Sequence, residues 1–228
     1  MTVERTMIQE NIERIRAALP AGVRLVAVSK LKPADDIREA YAAGQRLFGE
    51  NYATELRDKA AVLPPDIEWH FIGHLQGKQL KYYMSFVSMI HGVDSLDHLA
   101  EVERAAAKAG RSVDVLLQLH VAREETKFGF APDELDALVL PPAMQHVRIC
   151  GLMAMASNTD DTVRVRSDFR TARRVFEHLK AGPFATSDAF RELSMGMSHD
   201  WQTAVDEGST LVRLGTGIFG ARDYGVRG

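Results

Sequence analysis

Two rhythms of apolar positions alternate along this chain. From Val3 to Leu19 the apolar residues fall at Met7, Ile8, Ile12, Ile15 and Leu19 among charged neighbours, which is the spacing of one helix face, and "PAG" ends the segment. Beyond it, short runs rich in apolar and β-branched residues recur: "RLVAVSK" (24–30), "RLFGEN" (46–51), "IEWHFIG" (67–73), "FVSMIHGVD" (86–94), "SVDVLLQLHV" (112–121), "VRICGLMAM" (147–155), "ELSMGMS" (192–198) and "STLVRLGTGIFG" (209–220). Helical spacing returns between them in "PADDIREAYAAG", "SLDHLAEVERAAAKAG", "PDELDALVL" and "DTVRVRSDFRTARRVFEHLK", several of which open on Pro or Asp and close on Gly. Strands that are apolar on both faces and return after each helix belong to a parallel sheet covered by helices. Eight such runs predict an α/β chain folded as a single (β/α)8 TIM barrel with an extra N-terminal helix. A doubly wound open sheet shares the same periodicity. No linker, low-complexity tract or fixed-period repeat interrupts the pattern, so residues 1–228 read as one domain.

A parallel barrel carries its chemistry where strands end and loops begin. In "VAVSK" the alternation places Val26, Val28 and Lys30 on one face, so a lysine stands at the mouth above a valine floor. Desolvation would free its amine for condensation with a carbonyl; the alternative is a strand-end lysine whose head reaches water. "LSMGMSHD" ends the seventh run. It offers Ser194 and Ser198 hydroxyls, a glycine at 196 that admits close approach, and a helix start near Asp200 for which Ser198 is a suitable cap. The eighth run ends in "RLGTGIFG", where Gly215 and Thr216 supply similar materials. Serine caps and glycine turns are common separately. Together they follow strands seven and eight, where barrels often bind phosphate, and they predict an anion cradle.

Arg213, inside the apolar run "LVRLG", requires a carboxylate or a ligand acceptor. Because strand eight adjoins strand one in a closed barrel, Arg213 and Lys30 can face one ligand. Glu50 and Asn51 end strand two at the mouth; Asn51 suits either a hydrogen bond to a ring substituent or an ordinary turn. His70 lies within its strand as a core histidine, and His74 begins the loop. No His, Asp or Glu spacing matches a metal site, so no metal is expected.

Charge narrows the partners. The 28 Lys and Arg against 31 Asp and Glu create no field for nucleic acid or an anionic membrane, so a phosphate must be held locally. No apolar run approaches the roughly 18 residues of a membrane span, and the charged N-terminus does not read as a signal peptide. A cytoplasmic location follows. The single cysteine, Cys150, excludes an internal disulfide and reads as buried filler.

"VAVSK", "FGENY", "WHFIGHLQ", "GLMAM", "LSMGMSHD" and "VRLGTGIFG", in this order between about residues 23 and 224, closely resemble the pyridoxal phosphate homeostasis protein family. The resemblance implies the barrel of the alanine racemase N-terminal domain and a bound pyridoxal 5′-phosphate held as an aldimine. By the same resemblance Lys30 would be the Schiff-base lysine, Ser194, Ser198, Gly215 and Thr216 would hold the phosphate, and Arg213 would meet the pyridine nitrogen. The chain departs from the family in "LQGKQ" (75–79) and "QLH" (118–120), so Gly77, Lys78 and His120 alter the mouth rim. A racemase also needs acid–base groups on both faces of the substrate carbon, commonly a lysine and a tyrosine from a second domain, and an arginine at the ring nitrogen weakens the electron sink. With the sequence reaching only Gly228, no second domain is expected. The expectation is a carrier or reservoir in vitamin B6 homeostasis, with no catalytic residue, monomeric, and able to pass its cofactor to apo-enzymes. An amino-acid racemase is the runner-up, and a barrel enzyme acting on a phosphorylated metabolite with Lys30 as its amine is the third reading.

Overall fold

A computed structural model describes residues 5–124, 128–139 and 144–221. Eight parallel strands close in sequence order: β1 (Arg24–Val28), β2 (Leu47–Glu50), β3 (Glu68–Phe71), β4 (Met89–Val93), β5 (Val113–His120), β6 (Val147–Met155), β7 (Glu192–Ser194) and β8 (Leu211–Leu214). The β1–β8 seam, with Leu25 opposite Val212 and Val26 opposite Arg213, makes the sheet a barrel and rules out the open sheet. α1 (Met7–Ala18) precedes the barrel, capped by Thr6 and Gln9 in a reciprocal box. α2 (Ala34–Ala42), α3 (Ala53–Ala60), α4 (Leu96–Lys108), α5 (Pro132–Asp136), α6 (Thr162–Ala181), α7 (Trp201–Asp206) and α8 (Thr216–Phe219) follow successive strands, with a 3-10 segment (Gly77–Tyr82) after β3.

Strand alternation sorts the core into two layers. Leu25, Ala27, Phe48, Trp69 and Ile90 face the helices and join the main core, whereas Val26, Met89, Leu116, Cys150, Met153 and Leu211 fill the barrel interior. Cys150 is buried there, and burial pushes its thiol up to about 11.

The strands are shorter than their apolar runs. β1 stops at Val28, so Lys30 stands on a turn rather than on the strand. β7 stops at Ser194 and β8 at Leu214, which leaves "MGMS" and "GTGIFG" as loop and short helix. "PDELDALVL" shrinks to the five residues of α5, and its last residue, 140, lies outside the described residues, as do 222–224 of the family resemblance. α3, not singled out by periodicity, buries only Ala53, Leu56 and the stem of Lys59. Among the described residues no helix is long and apolar enough to cross a membrane.

Candidate functional site

The turn that carries Lys30 is held by charged groups from the helix-facing side. Ser29 continues the outward parity of Leu25 and Ala27, and its hydroxyl donates to Glu50 Oε1 at 2.6 Å. Lys59 Nζ donates at 2.7 Å to each of three oxygens, Ser29 O, Glu50 Oε1 and Glu55 Oε1, which uses all its N–H groups. Glu55 Oε1 also accepts the Leu31 N–H at 2.7 Å. Leu31 takes φ 60°, the left-handed region, and is the one non-glycine to do so among the described residues. On the far side Lys32 Nζ donates to Phe219 O at 2.9 Å and Ala221 O at 2.8 Å. Lys30 is half-buried between these anchors. Glu50 does not reach the mouth as expected: it is fully buried under α3, and burial pushes its carboxyl up to about 7 against the opposing pull of Lys59 and Ser29.

Arg213 is held by two neutral acceptors. Its guanidinium is buried, with Nη1 donating to Ser194 Oγ at 2.6 Å and Nη2 to the Ala154 carbonyl at 3.1 Å. It bonds no carboxylate among the described residues, and desolvation lowers it to about 10, which still leaves it charged at neutral pH. Ser194 Oγ lies 3.2 Å from His91 Nδ1, and His91 Nε2 lies 2.9 Å from His70 Nδ1. The donor inventory fixes a direction. Arginine only donates, so Ser194 accepts from it and gives its own proton to His91 Nδ1; His91 then carries hydrogen on Nε2 and donates to His70. Burial drives His70 down to about 3 and His91 well below its ordinary value, so both rings are neutral. Ser194, expected at the phosphate, is fully buried in this chain. Sequence spacing cannot find such a chain, because its members sit on four different strands.

The residues expected to form the cradle lie on two turns. Gly196 has φ +95°, and a Cβ there would stand 2.6 Å from Ala204 Cβ of α7, so glycine is required for the loop to pack on that helix. Ser198 is exposed and is not the N-cap of α7; Asp200 holds that position, but its carboxylate makes no capping bond and instead accepts the N–H of Met197 in the preceding loop at 2.6 Å. Gly215 caps α8 against the end of β1, where a Cβ would lie 3.1 Å from Val28 O. Thr216 is the exposed first residue of that turn. Asn11 of α1 braces it by donating to Ile218 O at 3.1 Å. Ser198 and the nearby Gly217 line one cleft with Arg14 and Trp201, whereas Ser194, Gly215 and Thr216 are not among its lining residues.

Asn51 follows β2, and its Oδ1 is buried without a hydrogen-bond partner. His74 stacks on Phe128 with centroids 4.0 Å apart and faces Asp94, whose other oxygen meets His98 Nδ1 at 2.5 Å. Of the residues that depart from the family, Gly77 leaves room for the Glu101 carboxylate, Lys78 is exposed, and His120 Nε2 bonds the Glu124 carbonyl at 3.0 Å. Sequence reasoning missed Ser29, Glu55, Lys59, His91 and Asp200. The spacing of Glu55 and Lys59, four apart on α3, was the available signal for that pair.

Comparison with known proteins gives the arrangement relatives. The alanine racemase N-terminal domain family matches residues 3–223. A pyridoxal phosphate homeostasis protein of Pasteurella multocida is 38% identical, covering 98% of this chain and 99% of its own length, and the Homo sapiens protein of that name is 40% identical over 95% of this chain and 84% of its own. Among solved structures, PipY of Synechococcus elongatus with PLP bound superposes with a TM-score of 0.82 at 39% identity, covering 93% of this chain and 100% of its own.

Proposed function

Since the chain belongs to the alanine racemase N-terminal domain family, and within it to the pyridoxal phosphate homeostasis proteins, we propose that it binds pyridoxal 5′-phosphate (PLP) and acts in homeostasis of that cofactor as a carrier or reservoir. PLP supplies an aldehyde that a primary amine can capture covalently, together with a phosphate carrying roughly −1.5 to −2 charge. The observation that carries the reading is Arg213, a charged guanidinium buried at the β1–β8 seam and bonded, among the described residues, to a hydroxyl and a carbonyl. Asp200 acts on it electrostatically without bonding it, so an ion in so dry a place calls for a further acceptor from a ligand. The orphaned Asn51 Oδ1 and the glycine-lined turns fit the same group.

In this reading Lys30 supplies the amine, and Arg213 faces the ring nitrogen with its head oriented by Ser194 and Ala154. Ser198, Gly215 and Thr216 hold the phosphate, and Asn51 hydrogen-bonds a ring substituent. Ser194 serves the guanidinium rather than the phosphate. Arg213 keeps the ring nitrogen unprotonated, which withholds the electron sink that carbanion chemistry needs, so this site holds its ligand without turnover. A cytoplasmic, monomeric carrier that delivers PLP to apo-enzymes completes the proposal.

The test is incubation with L-alanine or L-serine in D₂O. Negligible α-deuteration over minutes is expected; rapid incorporation at catalytic protein concentration, lost in Lys30→Ala, would establish the racemase instead. An absorbance spectrum with borohydride trapping separates both from a barrel enzyme that never binds PLP.

A further inference from the structure

We infer that Glu55, Lys59 and Glu50 form a positioning clasp for the Lys30 turn, which sets how fast and how firmly the Lys30 amine captures an aldehyde without itself touching the ligand. This inference rests on the reading of Lys30 as the attachment amine.

The argument is geometric. Both neighbours of Lys30 are tied to one ammonium. Ser29 is held through its carbonyl by Lys59 and through its hydroxyl by Glu50, while Leu31 is held through its N–H by Glu55, which Lys59 also holds. A non-glycine residue persists in the left-handed region only where its surroundings determine it, and the Glu55 bond acts on that residue. The clasp is also well hidden: the Lys59 side chain is 9% exposed and that of Glu50 fully buried. Burying a carboxylate-rich cluster on the helix side of a barrel costs desolvation that an apolar contact there would avoid. Its bonds converge on the two residues that flank Lys30, so they fix the backbone from which that amine extends.

A second consequence concerns competition. Lys59 is the lysine bonded to the turn itself, and all three of its N–H groups are engaged. A saturated ammonium cannot attack an aldehyde until it gives up its bonds and a proton, so the clasp removes Lys59 from competition for the aldehyde.

Glu55 is the clasp member nearest solvent, with a side chain 21% exposed, so its substitution best spares the fold. Glu55→Ala removes the acceptor for Leu31 N–H, whereas Glu55→Gln keeps an acceptor oxygen. In Glu55→Ala, hydrogen exchange at Leu31 should accelerate and capture of PLP, followed by absorbance, should slow, each by about 10- to 100-fold, the range of a charge-assisted hydrogen bond. Binding of pyridoxamine 5′-phosphate, which lacks the aldehyde, should change less than about 2-fold, because the phosphate and ring contacts remain. Glu55→Gln should restore most of the Leu31 protection and of the capture rate. Unchanged capture in Glu55→Ala would overturn the inference, as would an equal loss of pyridoxamine 5′-phosphate binding, which would mean that the cluster merely supports the mouth. Peptide mapping of the borohydride-fixed wild-type adduct separates the two levels. An adduct on a lysine other than Lys30 defeats the attachment reading, and with it the clasp's role in capture, whatever the exchange at Leu31 shows.

Discussion

The two ends of this barrel use the same residue types to opposite effect. At the base, where strands begin, a cavity of about 500 Å³ is lined by Arg24, Glu68, Asp114, Arg148 and Glu192 under a ceiling of His70. Its arginines are neutralised locally: Arg24 pairs with Glu192 at 2.8 Å, and Arg148 grips Asp114 through two bonds of 2.6 and 2.9 Å. At the mouth the polar groups are not balanced in this way. Among the described residues Arg213 bonds no carboxylate and Asn51 leaves a buried oxygen without a partner, and Leu31 is held in a left-handed conformation. Paired charges satisfy one another and ask for nothing. Unbalanced polar groups and held backbone mark the end that awaits a ligand.

The largest effect should come from Lys30→Ala. A turn lysine contributes little packing, so the barrel should remain while covalent PLP attachment vanishes, as read by mass spectrometry after borohydride reduction. A pyridoxyl adduct at wild-type stoichiometry in that variant would show that the mouth holds its ligand through another amine. Next in size is Ser198→Asp. A carboxylate at the cradle should weaken PLP on the order of 100-fold, by repulsion of the phosphate, while pyridoxal, which has none, changes little. Equal weakening of both ligands in parallel titrations would remove phosphate from the account of this end.

How far the sequence reached follows the same division. Strand and helix order was legible because apolar strand runs recur between stretches of helical spacing, α3 excepted, and closure followed from the number of strands. Lys30, Arg213, Gly215 and Thr216 stood out because each breaks a local expectation: a charge in an apolar run, or glycine beside a strand end. Ser198 misled as a helix cap because the helix starts two residues later than its propensity suggests, with Asp200 at the N-cap position and no side-chain capping bond. The Arg213, Ser194, His91 and His70 chain was invisible, since its members are linked across the barrel interior and share no spacing along the chain. Glu50 was placed at the mouth because it ends a strand; its parity, shared with Phe48, turns it outward under α3.

That hidden chain joins the two ends, and acid should loosen it. His70 is held at about 3 and His91 below its ordinary value by burial, while an unfolded histidine titrates near 6.5. The unfolded chain therefore binds more protons than the folded one below about pH 6.5, so the stability these rings confer is present above that pH and is lost as pH falls toward the folded values. Each should contribute a slope of up to about 1.4 kcal/mol per pH unit in that window. Glu50, raised to about 7, acts in the opposite sense between its unfolded value and neutrality. Comparing urea midpoints at pH 7.5 and 5 for wild type and His70→Gln isolates the histidine share. An unchanged difference between the two pH values would mean that His70 is protonated in the fold, and the proton direction assigned to the chain would be wrong.

The smallest expected effect belongs to the base. The Arg148 side chain is 64% exposed, so its pair with Asp114 is screened by water and should be worth less than about 1 kcal/mol. Arg148→Met opens one wall of the base cavity and leaves Asp114 at its edge, where solvent can satisfy it. If the mouth alone serves the ligand, this variant should alter PLP affinity by less than about 2-fold and lower the urea midpoint only slightly. Cys150, on the same cavity wall with its thiol pushed up to about 11, should stay inert to alkylation at neutral pH in wild type and variant alike. A loss of PLP binding in Arg148→Met comparable to that in Ser198→Asp would show that the base is coupled to the mouth through His70 and His91. The contrast between a balanced end and an unbalanced one would then describe a single site that spans the barrel.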